Sequence, residues 1–172
     1  FARARETKKP YLVGALARIN ASWNNLTQQA RFAAAKAGLR PPERNPFNNN
    51  VAQAVELVDA VERCAALCRA LAANEFEGTT TPVAFTPRAG KGVGFTEAPR
   101  GTVFHDLEFD ERGYVVHATI VTPTAQNVAN LEADMMKLAC DLAAQGVSED
   151  ELKHRVEMLV RAYDPCFSCS VH

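Results

Sequence analysis

The last ten residues carry the most reactive chemistry in the sequence: Tyr163-Asp164-Pro165-Cys166-Phe167-Ser168-Cys169-Ser170-Val171-His172. Two thiols three residues apart can close on one metal, because a turn after a helix brings both sulfurs to the same side. A histidine three residues later can serve the same region. Thiolate is a soft ligand that selects zinc, nickel, copper(I) or iron–sulfur centres. One Cys-x-x-Cys cannot complete four-coordination, and the chain holds no second pair of that spacing. Read from spacing alone, a zinc half-site and a redox dithiol stay open as alternatives. Cys64 and Cys68 stand i, i+4 on one helix face and could in principle ligate. Free cysteine is commonly a small buried apolar residue, however, and these two and Cys140 are expected in the core.

The frame around the tail is that of an ordinary folded chain. With 172 residues, it is long enough for one domain with a real core, here taken as 1–172. Its 19 basic and 20 acidic residues give a formal charge of −1, which offers no electrostatic case for nucleic acid or an anionic membrane. No apolar run approaches the roughly 18–20 residues that cross a bilayer. The first residues, basic and without an initiator Met or an apolar signal core, suggest a chain that is processed, truncated or partial. Five cysteines, an odd number, argue against a disulfide scaffold and for reduced thiols or metal ligation in the cytoplasm.

The elements that must position the tail follow from periodicity. Residues 1–20 read as loop with short elements, since Pro10 and Gly14 interrupt any regular pattern. Residues 24–37 predict a helix ended by Gly38, and the prolines of residues 40–50 make a connector. The strongest helix is predicted over 51–73, with Val55, Val58, Val61, Ala65, Leu67 and Leu71 on a buried face. Residues 76–94 read as irregular. Alternation over 103–109, a turn at Asp110-Glu111-Arg112-Gly113, and a second strand over 114–121 predict a hairpin. Helices over 124–144 and from a Ser148-x-x-Glu151 capping box to about Ala162 complete the chain. The fold class is α+β, mainly helical with a small antiparallel sheet.

Three segments in order carry a resemblance. Asp164-Pro165-Cys166-x-x-Cys169-x-x-His172 resembles the carboxy-terminal motif of nickel–iron hydrogenase large subunits. Glu97-Ala98-Pro99-Arg100-Gly101, with His105 downstream, is similar to a second motif of that family, and Pro123-Thr124-x-x-Asn127 to a third. Residues 11–20 look like a further family segment. The resemblance implies part of the hydrogenase large-subunit fold. It also implies reversible splitting of dihydrogen, at a nickel–iron centre carrying cyanide and carbon monoxide. The other Cys-x-x-Cys of the family lies in an amino-terminal part absent from these 172 residues. The partners implied are therefore that amino-terminal half, an iron–sulfur small subunit and further electron-transfer subunits of a cytosolic type. A chain ending at the motif histidine suggests the matured form.

Carried over by position, Cys166 becomes a terminal nickel ligand and Cys169 a bridge to iron. Arg100 polarises bound dihydrogen and donates to a cyanide, with Asp164 pairing and orienting it. Pro99 gives an apolar wall. Thr124 donates to the second cyanide, or else caps the next helix. His172 and the backbone carbonyl of Ile120 hold a magnesium or similar ion. Glu97 fixes its loop by hydrogen bonds, and Tyr163 and Phe167 shield the site from water. His105 and His117 lie on strands, His105 as a satisfied buried imidazole. Two rivals stand beside this: a structural zinc module using Cys166, Cys169 and a partner's ligands, and a respiratory-complex relative without hydrogen chemistry. Retention of both cysteines argues against the second.

Overall fold

The computed structural model describes residues 8–73 and 84–170. In chain order it contains α1 (Ala15–Ser22), α2 (Gln28–Lys36), α3 (Asn49–Ala72), β1 (Gly90–Ala98), β2 (Gly101–Phe109), β3 (Val115–Val121), α4 (Pro123–Ala144), α5 (Glu149–Tyr163) and the short α6 (Phe167–Ser170). The three strands form one antiparallel sheet in the order β1-β2-β3. The class is α+β and mainly helical, as the sequence leads one to expect.

Helix starts follow from capping chemistry. The hydroxyls of Thr27, Thr122 and Ser148 each accept a backbone N–H in the first turn of α2, α4 and α5, satisfying donors that a helix leaves without intrahelical partners. α4 is therefore capped by Thr122, whereas Thr124 lies inside its first turn. Gly14, read above as a break, is the residue from which α1 starts: its carbonyl accepts from Arg18 N at 2.9 Å.

The core sits where α1, α2 and α3 meet. Leu16 and Ile19 of α1 pack with Ala30 and Ala34 of α2, with Leu39, and with Ala52 and Val55 of α3. The alanines let the helices approach closely, and side chains buried there each contribute roughly 1–3 kcal/mol, scaling with size. A second buried group, Ala129, Leu159, Ala162 and Tyr163, joins α4 to α5. Asn49 binds the two halves: its Oδ1 accepts from Leu16 N at 3.2 Å and its Nδ2 donates to the Ala162 carbonyl at 2.8 Å.

Several expectations are corrected here. α2 is shorter than read, beginning at Gln28 after a 3-10 turn at Trp23–Asn25. β1 occupies residues 90–94 of the stretch read as irregular; residues 84–89 are irregular as expected, and residues 76–83 lie outside the described residues. The buried face of α3 covers only its first half. Val61 and Leu71 are each 61% exposed, because no element of the described chain reaches them. Cys64, Cys68 and Cys140 are exposed for the same reason. The sheet also stands open, with Val93, Phe95 and Ile120 all exposed.

Candidate metal centre

The site is built where the β1–β2 turn, the start of α4 and the end of α5 converge. α5 ends at Asp164, which takes the left-handed conformation (φ 47°, ψ 57°). Asp tolerates that region better than most residues, and Pro165 cannot continue the helix. The chain therefore turns sharply and delivers residues 166–169 across the start of α4. Cys166 N donates to the Thr124 hydroxyl at 3.2 Å, and the Thr122 hydroxyl donates to the Cys169 carbonyl at 3.0 Å. Two threonines of one helix start thus fix the backbone of both cysteines.

The turn brings the two sulfurs together, with Cα atoms 5.2 Å apart and the pair closed as a disulfide. That corrects the expectation of reduced thiols at these positions. A dithiol held this close closes to a disulfide by giving two electrons and two protons to an external oxidant, and reduction by two electrons restores both thiols. Cys166 Sγ also lies 3.3 Å from Ser168 Oγ. Among the described residues no group of three or more His, Cys, Asp or Glu side chains is poised to hold a metal. The donor set offers two convergent soft ligands to a metal.

Arg100 reaches the site from the other side. β1 and β2 are joined by a two-residue turn, Pro99-Arg100, since Ala98 faces Gly101 in the register. The Arg100 guanidinium donates to the Asp164 carbonyl at 3.0 Å and pairs with its carboxylate at 2.9 Å. Gln53 of α3 donates to the same carboxylate at 3.2 Å. Arg100, Thr124, Asn127, Tyr163 and Asp164 line one small pocket. Pro99 is exposed on the turn.

Two glycines make the turn's position possible. A Cβ on Gly14 would stand 2.8 Å from the Arg100 carbonyl oxygen, and a Cβ on Gly101 would stand 2.5 Å from Val13 Cγ2. Both glycines have positive φ, 114° and 135°, which L side chains rarely adopt. The segment before α1 is held by the third motif. The Asn127 side chain accepts from Val13 N at 2.8 Å and donates to Val13 O at 3.1 Å. The buried Gln126 amide donates to the Thr102 carbonyl at 2.7 Å and accepts from the Tyr11 hydroxyl at 3.2 Å.

Arg18, to which the sequence reading assigns no role, spans α1, α3 and the turn. It grips Glu56 with two bonds of 2.7 Å each and donates to Glu97 at 2.8 Å, to the Ala98 carbonyl at 3.0 Å and to the Pro99 carbonyl at 2.8 Å. Hydrogen bonding to Glu56 is the main cause that holds its guanidinium above the ordinary value. Burial pushes the Glu97 carboxyl up, but bonds from Thr102 and Arg18 together with the Arg18 charge outweigh it and leave the group below the ordinary value. A signal for Arg18 was available: it is the one charged residue in Ala15–Ser22, and a lone cation on a buried helix calls for a partner.

Of the other expected site residues, Tyr163 lines the same pocket as Arg100 and Asp164. Tyr163 is buried, and its hydroxyl donates to Asp134 and accepts from Asn130; burial, with Asp134, pushes the phenol up. Phe167 is 79% exposed and lines a cavity beside Val160, Asp164 and Pro165. His105 is half-buried rather than buried, and His117 is exposed. Ile120 is exposed and pairs with His105 across β2 and β3. His172 lies outside the described residues.

A family model described as nickel-dependent hydrogenase matches residues 5–172. Sulfhydrogenase 2 subunit alpha of Pyrococcus furiosus is 35% identical over 163 residues, covering 95% of this chain and 39% of the relative. Sulfhydrogenase 1 subunit alpha of the same organism is 39% identical over 168 residues, covering 95% and 37%. The chain thus spans well under half the length of these relatives. The solved structure of an NAD+-reducing [NiFe]-hydrogenase in the H2-reduced state superposes with a TM-score of 0.77 at 24% identity, over 98% of this chain and 37% of that one; that likeness shows the fold.

Proposed function

The chain belongs to the nickel-dependent hydrogenase family, and from that premise we propose that residues 1–172 are one domain, the carboxy-terminal portion of a large subunit that splits dihydrogen reversibly. The observation that carries this reading is the seating of Arg100 on Asp164, two residues before Cys166. A permanent cation, a pair of converging sulfurs and a hydroxyl meet at one turn.

When bound, a nickel–iron centre with cyanide and carbon monoxide ligands would supply the acceptor for the hydride half of heterolytically cleaved dihydrogen. Cys166 Sγ and Cys169 Sγ would be the ligands this chain contributes. A thiolate that keeps a free lone pair is basic, so Cys166 Sγ would hold the proton released, with Cys169 Sγ the weaker base. Arg100 stays charged at any working pH and carries five donors; those not engaged by Asp164 are available to polarise dihydrogen and to bind a cyanide nitrogen. Asp164 orients it, and Pro99 presents an apolar wall. The Thr124 hydroxyl accepts from Cys166 N, so its own proton remains to donate to the second cyanide. His172 and the Ile120 carbonyl belong to a magnesium or similar ion on this reading.

Activity requires a partner that brings the second Cys-x-x-Cys, the amino-terminal portion of the subunit. The open sheet and the uncovered second half of α3 are surfaces for it or for an iron–sulfur small subunit, which with further electron-transfer subunits carries the electrons away. Among the described residues no helix is long and apolar enough to cross a membrane. A cytoplasmic assembly is part of the proposal, on the ground that an odd number of cysteines argues against a disulfide scaffold. The test is to produce the chain anaerobically with its amino-terminal complement and small subunit. Infrared bands of metal-bound cyanide and carbon monoxide, with hydrogen-dependent reduction of a viologen dye, are expected. Zinc as the sole metal at Cys166 and Cys169 would replace this reading with a structural module.

A further inference from the structure

The strongest feature outside the motif residues is the guanidinium of Arg18. Each of its five N–H donors meets an acceptor: two on Glu56, one on Glu97, and the carbonyls of Ala98 and Pro99. The last two are the residues immediately before Arg100. The turn that presents Arg100 contains only Pro99 and Arg100 between paired strands. Proline donates no N–H to hold such a turn, and the outer strands β1 and β3 of the sheet are exposed along nearly their whole length. What fixes the turn is a fork on α1 that is itself clamped by a carboxylate on α3. On the far side, Gly14 and Gly101 allow that backbone to lie against the start of α1.

We propose that Arg18 is a positioning residue for hydrogen turnover: by gripping the Ala98 and Pro99 carbonyls, with Glu56 and Glu97 holding the fork in place, it sets where the Arg100 guanidinium meets Asp164 and therefore the thiol turn. This rests on the function proposed above. A planar fork reaches four groups at once. Lysine keeps the charge but is a point donor and cannot span two carboxylates and two carbonyls. A displacement of about 1 Å in a positioning element can lower turnover about a hundredfold.

The experiment uses the complete enzyme complex with Arg18→Lys, Arg100→Lys, the double variant, and Glu56→Gln as an independent way to loosen the fork. Three quantities are read: nickel content, hydrogen turnover per nickel, and hydrogen–deuterium exchange of residues 97–102. Arg18→Lys is expected to keep its nickel, to lose ten- to a hundredfold in kcat with little change in KM, and to exchange faster across the turn. Glu56→Gln is expected to do the same more mildly. The double variant is expected to be no worse than Arg100→Lys alone, since Arg18 acts through Arg100. Additive losses in the double variant, or unchanged exchange and turnover in Arg18→Lys and Glu56→Gln, would overturn the assignment. A wild-type complex without nickel would instead sink the hydrogenase reading, and the exchange of residues 97–102 would then decide the role of Arg18 in holding the turn.

Discussion

Asp164 is the residue at which fold and chemistry are hardest to separate. Its left-handed backbone ends α5, and its carboxylate receives Arg100 and Gln53. Asn retains both the shape and the tolerance for that backbone while removing the charge. The ion pair is more than a third exposed on both sides, so its direct worth to stability is only about 0–1 kcal/mol. Asp164→Asn is therefore expected to leave thermal unfolding nearly unchanged while lowering hydrogen turnover per nickel by about tenfold or more, roughly the loss of one charge-assisted hydrogen bond. A fall in stability without a fall in turnover would show that Asp164 serves the fold alone. At this scale the sequence was informative about identity and weak about partners. Spacing singles out Cys166 and Cys169, and the family resemblance adds Arg100 and Thr124. Nothing in it distinguished Thr122, which caps α4 and holds the Cys169 carbonyl, from Thr124, which holds Cys166 N. Two hydroxyls one proline apart read alike until the chain that crosses them is known.

At the scale of elements, the long helices and the β2–β3 hairpin were legible because their apolar periodicity and caps are local. β1 was not. Its alternate residues Gly90, Gly92 and Gly94 have no side chain to report a face, so a strand looked like a loop. Gly14 misled in the opposite sense: a glycine that starts α1 was read as one that prevents it. The close crossing of the β1–β2 turn over α1 has a direct test. In Gly101→Ala the new Cβ meets Val13 Cγ2 at 2.5 Å and Gly14 N at 3.0 Å, at a φ of 135°. Left-handed strain and overpacking each cost about 1–3 kcal/mol, so a loss of about 2–5 kcal/mol is expected from denaturant unfolding. Gly94→Ala, with nothing within 4 Å of its Cβ, should change stability by less than about 1 kcal/mol, because alanine in an open strand adds no clash. Equal effects at the two positions would mean that the crossing is not tight.

On the scale of the whole molecule, burial falls away from the site. The beginnings of α3 and α4 are buried and their ends are exposed. The expected core positions Cys64, Cys68, Cys140, Val61 and Leu71 all lie on the uncovered ends. Hydrophobic periodicity reports that a face will be covered, not which polypeptide covers it, and this chain spans 39% of one relative's length. On the proposed function the metal site would divide in the same way, with two sulfurs here and the others from the covering chain. Nickel K-edge X-ray absorption on the complete, reduced complex tests that division most directly. The account predicts a nickel shell dominated by sulfur that loses one sulfur scatterer in Cys166→Ser. A nickel shell of nitrogen and oxygen, or one that Cys166→Ser leaves unchanged, would contradict it.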